Sequence, residues 1–140
     1  MHDFKLRMKC LVSGDASANS GVQYRAERRP DGHAAGYQAD CDDGAVWFGR
    51  IYDEHGRGLL VERGAKVVID EAGQRKASTF RDKDAYQAIV KEDDWNEYVI
   101  RAVGPRMQTW INGSLASELI DHPPSRAARC DHSAPSPSVR

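Results

Sequence analysis

Long apolar runs are missing from this 140-residue chain, and none approaches the length that crosses a bilayer as a helix. Excess charge is missing too: 20 Lys and Arg stand against 21 Asp and Glu, a net charge of -1 with the two signs interspersed. With that balance nothing suggests an electrostatic footprint for nucleic acid or a basic amphipathic membrane face. Cysteine is scarce, and Cys10, Cys41 and Cys130 are an odd set without C-x-x-C spacing, which speaks against a disulfide framework or a zinc ribbon. No basic segment followed by an apolar run opens the chain, since Met1 leads directly into a strand pattern, so no signal peptide is expected. Helical periodicity is equally scant. Residues 76–91 read as a loop with a short helical turn around Asp84 to Val90, too short and uncapped to make a long helix.

What remains is a succession of short strand patterns. Phe4, Leu6, Met8, Cys10 and Val12 alternate with Lys5, Arg7 and Lys9, the signature of a half-buried strand with Cys10 as a core thiol. Trp95 to Val103 alternates in the same way, and Trp95 and Trp110 are read as core or sheet-packing residues. Glu97 and Arg101 share a phase and are read as a surface pair. Asn112-Gly113 between two β-rich runs predicts a hairpin, because a type I′ turn needs positive φ at both central residues. The β-formers of residues 45–52 predict a strand with Trp47, Gly49 and Ile51 on one face. Leu59 to Val61 and Lys66 to Ile69 predict two more. Many short strands joined by Gly, Pro and Asn turns make an all-β fold, an antiparallel sandwich or barrel, over residues 1–122. Residues 123–140, rich in proline, serine and basic residues, read as a disordered or loosely attached tail.

The most informative stretch is residues 18–40. If the segment through Gly21-Val22-Gln23-Tyr24-Arg25 pairs antiparallel with Gly36-Tyr37-Gln38-Ala39-Asp40, alternation brings Gln23, Arg25, Gln38 and Asp40 to one sheet face beside Gly21. A guanidinium, two amides and a carboxylate above small residues form a floor for a hydroxyl-rich ligand. The same pattern also describes an ordinary solvated sheet face. Asp40, Asp42 and Asp43 allow two readings, a site for a divalent cation such as calcium or a solvated turn. His55 beside Glu54 is either an acid or ligand, or merely exposed.

Taken with Asp3-Phe4-Lys5-Leu6-Arg7, Trp47-Phe48-Gly49-Arg50-Ile51-Tyr52-Asp53-Glu54, Asp94-Trp95-Asn96-Glu97-Tyr98 and Thr109-Trp110-Ile111-Asn112-Gly113, these segments resemble, in order and spacing, the bacterial 3-keto-disaccharide hydrolase family. The resemblance implies a jelly-roll sandwich of the concanavalin-A-like lectin/glucanase type. It also implies cleavage of glycosides whose sugar carries a ketone at carbon 3. Two family segments are not matched, an opening of the form F-N-G-x-x-L-x-G-W and a closing strand of the form V-x-F-x-N-I. The chain is therefore expected to be an incomplete sandwich with unpaired edges.

A ketone at carbon 3 acidifies the hydrogen on carbon 2, so the implied reaction needs a base and a donor to the developing oxyanion. Asp40 or Glu54 is expected as the base, Gln23, Arg25 and Gln38 as substrate-orienting donors, and Trp47 or Tyr52 as a sugar-stacking wall. The competing expectations are a non-catalytic carbohydrate-binding module on the same fold and a truncated, inactive chain. A carbohydrate is the expected partner, with neither nucleic acid nor membrane, and no cofactor is required beyond the cation option. Relatives are commonly exported, whereas this sequence shows no export signal, which leaves the compartment open.

Overall fold

Among the described residues ten strands form in chain order: β1 (Phe4–Cys10), β2 (Asn19–Arg28), β3 (Ala34–Asp42), β4 (Ile51–Glu54), β5 (Gly58–Val61), β6 (Ala65–Ile69), β7 (Arg75–Thr79), β8 (Asn96–Val103), β9 (Arg106–Ile111) and β10 (Ser114–Asp121). A 3-10 helix, Lys83–Ala88, lies between β7 and β8. The computed structural model describes residues 2–15, 17–43 and 46–124. The tail expected from residue 125 onward, Cys130 included, lies outside the described residues.

The strands build two facing sheets, one of six strands in the order β1-β8-β9-β10-β6-β7 and one of four in the order β2-β3-β4-β5. All pairs are antiparallel except β10 with β6, which runs parallel from Ser117 opposite Ala65 to Asp121 opposite Ile69. The all-β sandwich expected from the sequence is what the chain forms. Its core lies where the inward phases of the two sheets meet: Tyr24, Ala39 and Ile51 from one, Tyr98, Ile100, Met107, Ile111 and Leu119 from the other. Each large apolar side chain removed from water there contributes roughly 1.5–3 kcal/mol before entropy is charged against it. Phe48 stacks on Tyr98 at 5.1 Å between ring centroids, and Tyr24 on Tyr37 at 5.7 Å.

Polar side chains also tie sheet to sheet. Tyr98 donates its hydroxyl to the Asp40 carbonyl at 3.2 Å, and Tyr37 donates to the Asp121 carboxylate at 2.7 Å. Buried Thr109 and Ser117 satisfy each other at 2.6 Å. The hairpin between β9 and β10 turns at Asn112 and Gly113, with φ of 48° and 83°, the two positive angles that a type I′ turn requires. Asn112 does more than turn the chain: its side chain accepts from the Glu97 amide and donates to the Ile89 carbonyl.

Four expectations are corrected. Residues 46–50 are turn and bend rather than strand, and β4 begins only at Ile51. The carboxylate of Asp42 captures three successive backbone amides there and curls the segment. Arg75–Thr79, all but its first residue within the stretch read as loop, is the edge strand β7; all five residues are exposed, so no apolar alternation announces it. Trp95 is 57% exposed at the entry to β8 and is not a core residue. Glu97 and Arg101 form no ion pair with each other among the described residues.

Candidate functional site

On β3 the phase that faces away from the core carries Gln38 and Asp40, because Tyr37, Ala39 and Cys41 take the inward positions. Its neighbours are set by register. Gln23 of β2 stands opposite Gln38, and Gly21 opposite Asp40. On the other side Tyr52 of β4 stands opposite Gln38, and Glu54 opposite Gly36. A cavity of about 250 Å³ opens on this face, lined by Asn19, Gln38, Asp40, Trp47, Tyr52 and Glu54.

Gly21 makes the arrangement possible. A Cβ at that position would stand 2.6 Å from Gln38 Cγ, so the missing side chain is the space in which Gln38 lies. Gln38 in turn links two neighbours: its oxygen accepts from Gln23 Nε2 at 3.2 Å, and its Nε2 donates to Asp40 Oδ1 at 2.7 Å. Asp40 is held rigidly through its backbone, whose N–H donates to the Arg50 carbonyl and whose carbonyl accepts from Gly49 N–H and from Tyr98.

Asp40 is 4% exposed, and burial is the main reason its carboxyl is pushed up to about 6. The negative charges of Glu54 and Asp42 push the same way, while the Gln38 hydrogen bond and the Arg50 guanidinium pull it down. A carboxyl tuned to that range is largely ionised at neutral pH and still basic enough to accept a proton from carbon.

One wall is Trp47, on the segment curled by Asp42. Asp42 Oδ1 accepts from the amides of Trp47 at 2.9 Å and Phe48 at 2.8 Å, and Oδ2 from Val46 at 2.9 Å. The Arg50 guanidinium lies 4.2 Å from the Trp47 ring centroid and is itself fixed by Glu62 at 2.8 Å. With Tyr52 this gives two aromatic surfaces flanking a carboxylate and amides, an arrangement suited to the apolar faces and hydroxyls of a sugar ring.

Five of the seven residues singled out in the sequence therefore line one cavity: Gln38, Asp40, Trp47, Tyr52 and Glu54. Gln23 stands behind Gln38 and reaches the site through it. Arg25 departs from expectation. A bulge between Tyr24 and Glu27 breaks the alternation of β2, and Arg25 itself has φ of 48°. Its guanidinium donates instead to the carbonyls of Gly104 at 2.6 Å and His2 at 3.1 Å, with the Asp3 carboxylate at 3.5 Å. Arg25 clasps the two sheets together and does not share the face of Gln23.

The aspartate trio separates as well, since Asp42 spends both oxygens on backbone amides while Asp40 faces the cavity. Among the described residues, no group of three His, Cys, Asp or Glu side chains is placed to hold a metal ion. His55 packs its ring 5.7 Å from that of His33, outside the cavity lining. Sequence reasoning missed Asn19, whose signal was its phase: it precedes Gly21 and Gln23 at strand spacing on the same face. It also missed Asp42 as the anchor of Trp47.

No curated protein matches the chain. The family model of the 3-keto-alpha-glucoside-1,2-lyase-like domain, by contrast, matches residues 1–137, nearly the whole sequence. The chain belongs to this family of carbohydrate-active domains.

Proposed function

We propose that the protein cleaves glycosides of 3-keto sugars by base-assisted elimination across carbons 1 and 2, followed by addition of water. The observation that carries this reading is Asp40, a nearly buried carboxylate facing a polar cavity and tuned to about 6. In the first step Asp40 takes the proton from carbon 2, and the electron pair moves onto the carbon 3 oxygen as an enolate. The amides of Asn19 and Gln38 are the donors available to that oxygen. The enolate then reforms the ketone, a double bond forms between carbons 1 and 2, and the bond from carbon 1 to the glycosidic oxygen breaks. Glu54 holds a water that protonates the departing oxygen. The resulting hydroxide adds to carbon 1, and Asp40 returns its proton to carbon 2. Net hydrolysis results; departure of the unsaturated sugar before hydration leaves a lyase reaction. Trp47 and Tyr52 flank the ring.

The test is release of 4-nitrophenol from a 4-nitrophenyl 3-keto-α-glucoside by the wild-type chain and by Asp40→Asn and Glu54→Gln variants. Loss of a general base lowers kcat roughly 10²–10⁴-fold. Unchanged turnover in Asp40→Asn would sink the assignment. Saccharide binding without any turnover in the wild type would establish the second reading, a carbohydrate-binding module, which Trp47, Tyr52 and the two amides support without a base.

A further inference from the structure

On the opposite side of the sandwich, the outward face of the six-stranded sheet holds a second cavity, of about 320 Å³. It is lined by Lys5 and Arg7 of β1, Glu97, Val99 and Arg101 of β8, and Trp110 of β9. These residues belong together by register: Lys5 stands opposite Arg101, Arg7 opposite Val99, and Val99 opposite Trp110. Two cations directly across a strand pair repel each other. Glu97, opposite Lys9, is the one carboxylate in the lining, and among the described residues the side chains of Lys5, Arg7, Lys9 and Arg101 make no hydrogen bond or ion pair. Elsewhere on this same sheet face the pattern differs, with Lys66 and Arg106 both paired to Glu118 at 3.2 Å and 3.1 Å. Three cations without such a partner, Lys5, Arg7 and Arg101, therefore line the cavity. Its floor is apolar, formed by Val99, 7% exposed, beside the half-buried indole of Trp110.

We propose that this face is a second carbohydrate site, for an acidic saccharide of the polyuronate class. Lys5, Arg7 and Arg101 receive its carboxylates, and the planar forks of the two arginines match a carboxylate in two-point contact. Trp110 takes the C–H face of a ring. Glu97, a carboxylate among cations, accepts sugar hydroxyls. That mixture favours an acidic sugar over a nucleic acid, whose backbone presents phosphates to Glu97 and few donors. Bound there, a polymer leaves the cavity around Asp40 free on the other sheet, so the protein can sit on an acidic glycan while its first site remains open.

The experiment is calorimetric titration of the full chain with an oligogalacturonate, with the same oligomer after methyl esterification, and with single-stranded DNA of matched charge. Expected are binding of the free acid that weakens with added salt and no binding of the ester. Arg7→Gln and Arg101→Gln, both exposed, should each weaken it roughly fivefold, as loss of one solvent-exposed ion pair does. Asp40→Asn should bind as tightly as wild type, so this result stands apart from the outcome of the turnover assay. Equal affinity for acid and ester, tighter binding of DNA, no binding at all, or indifference to both arginine substitutions would each overturn the proposal.

Discussion

Gln38 donates its side-chain amide to the carboxylate of Asp40, two residues further along the same strand, at 2.7 Å. The bond favours the ionised carboxylate against the burial that disfavours it, and the balance comes to rest at about 6. Activity that uses Asp40 as a base therefore rises with pH through about 6 and levels off above it. A kcat/KM profile from pH 4.5 to 8.5 checks this; a flat profile contradicts it.

Stability runs in the opposite sense. The ordinary aspartate value is 3.8, so the folded chain holds this proton more tightly than the unfolded one. The contribution is full below about pH 4 and is lost as pH rises through about 6. Asp40→Asn removes the ionisation, and after screening at the cavity mouth it should stabilise the fold by up to about 2 kcal/mol at pH 8, and by almost nothing at pH 3.5. Urea midpoints at the two pH values provide the comparison.

Gly21→Ala should act on chemistry more than on folding. Its new methyl meets Gln38 Cγ, Cδ and Nε2, a flexible side chain that swings aside and breaks its bond to Asp40. The carboxyl then rises further, and the acid limb of the rate profile moves above pH 6. Turnover falls most at pH 6 and recovers toward pH 8. Gln38→Leu should give the same displacement of the limb; a limb that stays in place in both variants contradicts the link.

Asp42→Ala strips three backbone amides of their acceptor at a position 5% exposed. Lost hydrogen bonds to a charged group on this scale cost roughly 2–4 kcal/mol. The wall formed by Trp47 loosens with them, so KM for the keto-glycoside should rise more than kcat falls. Denaturation and steady-state kinetics on the same preparation separate the two effects.

Arg25→Met should leave kcat unchanged and weaken the fold by about 2 kcal/mol, because a nearly buried guanidinium that bonds two carbonyls is exchanged for an apolar chain. A large loss of kcat with normal stability would return Arg25 to the site.

The contrast between Arg25 and Gln38 shows what alternation can reveal. Strict period-two patterns placed β1 and the residues of β3 on their correct faces, and showed β8 as an alternating strand while taking Trp95 of its outward phase as core. They also brought Gln23, Gln38 and Asp40 to one side of the sheet, where the register adds Tyr52 and Glu54. The rule fails at Tyr24–Glu27 because a bulge adds a residue to one strand. Arginine at positive φ carries no mark of it, as glycine or asparagine would. Trp47 was placed on a strand because aromatic and branched residues favour strands. The competing force, one carboxylate collecting three amides, acts across residues 42–48 and leaves composition unchanged. β7 hid for a related reason: an exposed edge strand has no apolar phase to betray it.

The neighbour of β10 was beyond reach of any local pattern. Ser117 to Asp121 lie alongside Ala65 to Ile69, yet β7, the 3-10 helix, β8 and β9 intervene in the chain. Loop closure over that separation is slow, and the entropy is spent before the contacts repay it. During synthesis β6 must therefore wait for β10 to leave the ribosome, and until then its apolar edge has only β7 for company. Refolding from denaturant is accordingly expected to be limited by the long-range pairings, β10 with β6 and β1 with β8.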